Sequence, residues 1–91
     1  MSIPMIPAYV IVAEFSGERQ PMVLVASQEL ASLKGWLHNR PTAQGETRRT
    51  LWKDHRDSVM FEPYGHRLMA RLNSDPDCEL LGTVTRKVEN F

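Results

Sequence analysis

The run from Ala8 to Phe15 (AYVIVAEF) is rich in β-branched and aromatic residues, and its side chains sort by a period of two. Val10, Val12 and Glu14 share one face, and Tyr9, Ile11, Ala13 and Phe15 share the other. Ser16 to Gln20 carries a turn composition, and Met22 to Ala26 (MVLVA) reads as the returning strand of a β-hairpin. The period then changes. Leu30, Leu33 and Leu37 recur at spacings of three and four, which predicts an amphipathic helix over Gln28 to His38 facing the hairpin. Ser27 suits its N-cap, and Gln28 and Glu29 fall where the helix dipole favours acid. Gly35 weakens this helix by about 1 kcal/mol relative to alanine. Asn39 and Pro41 end it, because proline disfavours helix in the residue before it.

Beyond the helix the pattern is weaker. Arg40 to Thr50 (RPTAQGETRRT) holds no apolar side chain larger than alanine and reads as a long loop. Leu51 to Glu62 fits two descriptions. One is a helix with Leu51, His55 and Val59 on a face. The other, which the pattern favours, is a pair of short strands, Leu51 to Lys53 and Ser58 to Phe61, about an Asp54 to Asp57 turn. Pro63 opens a second helix, with Tyr64, Leu68 and Leu72 at i, i+4 and i+8, and Asn73 to Asp77 closes it as a loop. Cys78 to Val88 reads as a last strand with Leu80, Val84 and Val88 on one face, and Gly82 within it marks a bulge or a close backbone approach. The expected fold is a single α+β domain spanning residues 1–91. It has a small, mostly antiparallel sheet of three or more strands, with one or two helices packed on one face, in the order ββα, a variable middle, then αβ.

Composition narrows the function classes. An apolar fraction of 42% and a charged fraction of 24% are ordinary for a globular chain. Eleven basic and eleven acidic residues cancel, and a non-specific nucleic-acid binder usually carries a basic excess. Cys78 is the lone cysteine, so an internal disulfide and a cysteine-built zinc site are excluded, and the residue reads as a small hydrophobe in a strand. The first seven residues hold two prolines and no basic run, so they read as neither signal nor transit peptide, and Ala8 to Ala13 is too short an apolar run to span a bilayer. A cytoplasmic setting is the expectation.

Candidate chemistry is sparse. His38, His55 and His66 lack metal-ligand spacing. Asp54 with Asp57, and Asp75 with Asp77, resemble acid–base pairs but sit in turns, where aspartate bonds the backbone two residues on. The five glycines form no phosphate loop, and no nucleophile elbow appears. The expectation is therefore a protein with no enzymatic activity, no cofactor and no metal.

One segment departs from this background. Trp36 to Arg56 carries Arg40, Arg48, Arg49, Lys53 and Arg56 against Glu46 and Asp54, and it holds both tryptophans, Trp36 and Trp52. Arginine and tryptophan dominate many protein interfaces, and they also suit phosphate pairing and base stacking. Arg40, Arg48, Arg49, Trp52, Lys53 and Arg56 are thus the candidate partner-binding residues, with a protein as the first partner class and nucleic acid as the second. A small homodimer built through an exposed strand edge is the third. The plain alternative is a solvated loop with both tryptophans in a small core. The order of hairpin, capped helix and later strand, from Tyr9 to Leu37, resembles compact phage-encoded inhibitors, a group that includes anti-CRISPR proteins and inhibitors of host RNA polymerase. The resemblance is one of architecture and implies a non-enzymatic protein that blocks a larger host complex by occupying its surface.

Overall fold

A computed structural model describes residues 8–56 and 65–86. Its elements are β1 (Ala8–Phe15), β2 (Met22–Ser27), α1 (Leu30–Asn39), β3 (Glu46–Asp54), α2 (His66–Ser74) and β4 (Cys78–Thr85). The strands form one four-stranded sheet in the order β2-β1-β3-β4, and every neighbouring pair is antiparallel. The α+β class and the antiparallel sheet thus agree with the reading of the sequence, as does the opening hairpin.

β1 lies between β2 and β3 and is apolar on both faces, so the sheet needs cover on both sides. On one face Ile11 and Leu51 are neighbours, and α1 lays Leu33 and Leu37 over them. On the other face Val10, Val12 and Trp52 meet Leu68, Met69 and Leu72 of α2. One helix therefore packs on each face, where the sequence reading had grouped the helices on one. The reason lies in β1 itself, because its unbroken apolar run places hydrophobic side chains at both parities.

The N-cap assignment shifts by two residues. Ser27 Oγ accepts the backbone N–H of Glu29 at 3.0 Å in a local turn, and α1 begins at Leu30 with Glu29 at the cap position. A larger correction concerns the supposed loop from Arg40 to Thr50. Its second half is the beginning of β3, which runs from Glu46 through Leu51 to Asp54. Gly45, at φ +80°, turns the chain into that strand, and its carbonyl accepts Ser16 N–H at 2.9 Å, locking the start of β3 to the hairpin turn. Leu51 to Lys53 is strand, as favoured, while Ser58 to Phe61, Pro63 and Tyr64 lie outside the described residues.

β4 pairs with β3 through a bulge. Leu51 stands opposite Gly82 and Trp52 opposite Leu80, leaving Leu81 as the extra residue. The bulge changes parity, so Leu80 falls on the α2 face while Val84, opposite Arg49, falls on the α1 face, and the two do not share a face as the simple alternation implied. Gly82 serves both roles expected of it. It adjoins the bulge, and a Cβ there would stand 3.2 Å from Leu37 Cδ2.

Leu33 is fully enclosed between α1 and the sheet. Leu33→Ala is expected to lower stability by about 2–4 kcal/mol in chemical denaturation, as enclosed leucine truncations do. A loss below about 0.5 kcal/mol would mean that α1 buries some other face.

Candidate functional site

The basic segment divides into an enclosed half and an exposed half. Arg49 is only 2% exposed. Its Nε donates to Glu46 Oε1 at 2.8 Å, Nη1 donates to the carbonyls of Trp36 and Arg40 at 3.1 and 3.0 Å, and Nη2 donates to that of Pro41 at 2.6 Å. The guanidinium thus closes the C-terminal end of α1, where helix carbonyls lack intrahelical partners and the dipole favours a cation. Glu46 is equally enclosed, and its second oxygen faces Arg86 Nε at 4.0 Å, while Arg86 Nη2 donates to Leu37 O at 3.1 Å. β3, β4 and α1 meet at this cluster.

Trp52 is also interior, with its ring packed among Val10, Val12 and the α2 residues and its Nε1 donating to Thr50 Oγ1 at 2.7 Å. Two of the six candidate binding residues, Arg49 and Trp52, are therefore part of the protein's interior and present nothing to a surface partner. Arg48 forms a two-pronged pair with Glu14 across β1 and β3, at 2.6 and 2.8 Å. That pairing raises its pKa above the ordinary guanidinium value, chiefly through the hydrogen bonds to Glu14 and then through the charge. Arg56 reaches three carboxylates: Asp54 and Asp77, each at 3.5 Å, and Asp75. Arg40 is exposed and lies over the Trp36 ring, 4.0 Å from its centroid. Lys53 is half-buried, and among the described residues no carboxylate pairs with it.

The acidic residues behave as turn chemistry. Asp54 Oδ1 accepts Arg56 N–H and Asp75 Oδ1 accepts Asp77 N–H, each at 2.9 Å. His55 Nε2 stands 3.1 Å from Glu79 Oε2 at the surface. Among the described residues no three His, Cys, Asp or Glu side chains are grouped to hold a metal ion. No described helix is long and apolar enough to cross a membrane.

What the sequence reading missed lies at the other edge of the sheet. Leu80 and Leu81, 50% and 38% exposed, are the large exposed hydrophobics among the described residues, and both sit on β4, whose outer side has no strand partner among them. Next to Leu81 a groove of about 350 Å³ opens between α1 and β4. Leu81 lines it together with Leu30, Leu37, Leu51 and Gly82, and Lys34 and His38 stand among its walls. Among the described residues no carboxylate pairs with Lys34 or His38. The sequence signal was Leu80-Leu81-Gly82 itself: adjacent leucines ahead of a bulge-forming glycine cannot both face one core.

Comparison with protein-family models, with curated proteins and with solved structures gives no match.

Cys78 packs against the α2-side core and is half-buried. Burial pushes its thiol pKa up, the nearby Asp54 and Asp75 carboxylates push it further, and Arg56 and Arg71 oppose them. The thiol is thus held neutral to a higher pH than a free cysteine, the wrong direction for a nucleophile. Alkylation by iodoacetamide, followed against pH, should show a midpoint above that of a cysteine peptide. A midpoint at or below the peptide's would restore a reactive-thiol role.

Proposed function

We propose that this chain is a non-enzymatic module that docks on another protein, and that the docking surface is the outer edge of β4 with the groove beside it. The observation that carries the reading is the exposure of Leu80 and Leu81 on β4, whose outer side has no strand partner among the described residues, with Leu81 at the mouth of an apolar groove. Small proteins hide or blunt such edges, and contiguous exposed apolar surface commonly marks an interface. The basic, tryptophan-containing surface expected from the sequence contracts to Arg40 stacked on Trp36, with Lys53 at a distance along the sheet. Arg40 and Lys34 then act as flanking charges that favour an acidic partner face. Obstruction of a larger complex, as the likeness to phage-encoded inhibitors implies, is one use of such a surface.

The nucleic-acid alternative is weakened by the same geometry. Arg49 is enclosed, and Arg48 and Arg56 already face carboxylates. With few open cations among the described residues, random duplex DNA should bind no tighter than about 100 μM at physiological salt, with a log–log salt slope no steeper than about −2. Fluorescence anisotropy across a salt series measures both. Micromolar binding with a slope near −4 or steeper would favour phosphate recognition.

The docking surface itself is tested with tagged bait in an extract of the native host. Leu80→Lys should lose the captured protein while keeping the wild-type circular dichroism, and Arg40→Glu should reduce capture only partly. Full capture by a folded Leu80→Lys variant, together with loss by Arg40→Glu, would move the surface to the Trp36–Arg40 end.

A further inference from the structure

We infer that the occupant of the β4 edge is a second copy of this chain, paired antiparallel through β4 about a two-fold axis between Leu81 and Gly82. The inference rests on the docking reading above and deepens it.

The edge is self-complementary in three respects. First, the parity set by the bulge is compatible with self-pairing. In that register Leu80 faces Thr83 of the mate, Leu81 faces Gly82, Glu79 faces Val84 and Cys78 faces Thr85. Each pair joins residues of like face, because Leu80, Thr83, Cys78 and Thr85 belong to the α2 side, while Glu79, Leu81, Gly82 and Val84 belong to the α1 side. A register displaced by one residue would place α1-side positions against α2-side ones.

Second, the shapes correspond. Gly82 contributes no side chain, and the groove opens beside it. Leu81 of each copy therefore comes against the mate's Gly82, at the rim of the groove that Leu30, Leu37, Leu51 and the mate's own Leu81 line. An isologous interface requires such a match of a projection with a recess on the same surface.

Third, the charges correspond. Glu79 is the only ionisable acid on β4, and its side chain is 56% exposed. Beyond its contact with His55 of its own chain at 3.1 Å, the register brings it to the α1 side of the mate, where Lys34 and His38 stand without a carboxylate partner among the described residues. β4 carries no lysine and no proline, the usual residues that keep an edge from pairing. A chain of zero net charge adds no long-range repulsion between copies.

Sedimentation equilibrium of the full chain, with hydrogen exchange read over the same concentrations, tests the inference. The wild type should move with concentration toward twice the 10.4 kDa chain mass. Amides of Cys78 to Thr85 should gain protection in step, while those of the buried strand β1 stay constant. Leu81→Lys places a cation in the groove, at a position open enough to solvent for the monomer to fold, and should weaken association by about 30-fold or more. A wild type that stays at 10.4 kDa up to about 1 mM, or β4 amides whose exchange ignores concentration, overturns self-pairing. A dimer that Leu81→Lys leaves intact overturns it as well, by placing the contact elsewhere. Should Leu81→Lys fail to fold, the exchange data on the wild type decide alone. A monomeric wild type whose folded Leu80→Lys variant still loses a captured host protein refutes the second copy and preserves the docking surface. A monomer indifferent to both substitutions refutes both.

Discussion

Arg49 is the constraint on which the arrangement depends. A guanidinium in an inner strand of a small sheet is stable only if every donor has a partner and its charge is matched. Glu46 supplies the charge, and the carbonyls of Trp36, Arg40 and Pro41 supply the remaining acceptors. Each of those acceptors belongs to the end of α1 or the residues that follow it. The guanidinium therefore fixes two things together: the register in which β3 enters the sheet, and the point at which α1 ends above it. Arg86 adds a third tie, from β4's end to the carbonyl of Leu37. With the end of α1 held there, the helix leaves an uncovered strip along β4, and the groove is that strip.

This explains which parts of the fold were legible in the sequence. Val10 to Ala13 and Leu30, Leu33 and Leu37 announce a hairpin and a helix by period alone, since each pattern follows from one local rule. Glu46 to Thr50 could not be read as strand, because glutamate and two adjacent arginines contradict every local signal for an inner strand. Their place there depends on partners on α1, distant in sequence, that complete the hydrogen bonds of a buried charge. The same polar run made Trp36 to Arg56 look like a binding surface. Two of its six candidate residues are interior, Arg49 as the fastening at the end of α1 and Trp52 packed among Val10, Val12 and Leu68. The exposed leucines went unseen for the opposite reason. Simple alternation along β4 hides both under helices, and only the bulge at Leu81 shows that Leu80 and Leu81 stand clear.

The neutral charge total also acquires a meaning. Three of the five cations of the central segment face carboxylates: Arg48 meets Glu14, Arg56 meets Asp75 and Asp77, and Arg49 meets its own strand's Glu46. The segregation visible along the chain is largely cancelled in space. Exposed pairs such as Arg48 with Glu14 add roughly 0.2–1 kcal/mol each, so their effect on stability is small. Their effect on recognition is larger, because they remove the open cations that a polyanion would require. Among the described residues the large apolar side chains left exposed are Leu80 and Leu81 on β4, with Lys34 and His38 beside the adjoining groove.

The most direct test of this account is the stability of Arg49→Ala, measured by urea denaturation. Removal of the guanidinium leaves Glu46 enclosed without its partner and strips three carbonyls of a donor, so the account predicts a loss of about 3–5 kcal/mol, near the whole stability of so small a domain. A variant within about 0.5 kcal/mol of the wild type would contradict it. Arg49 would then be a surface residue, and the basic segment would return as the binding site.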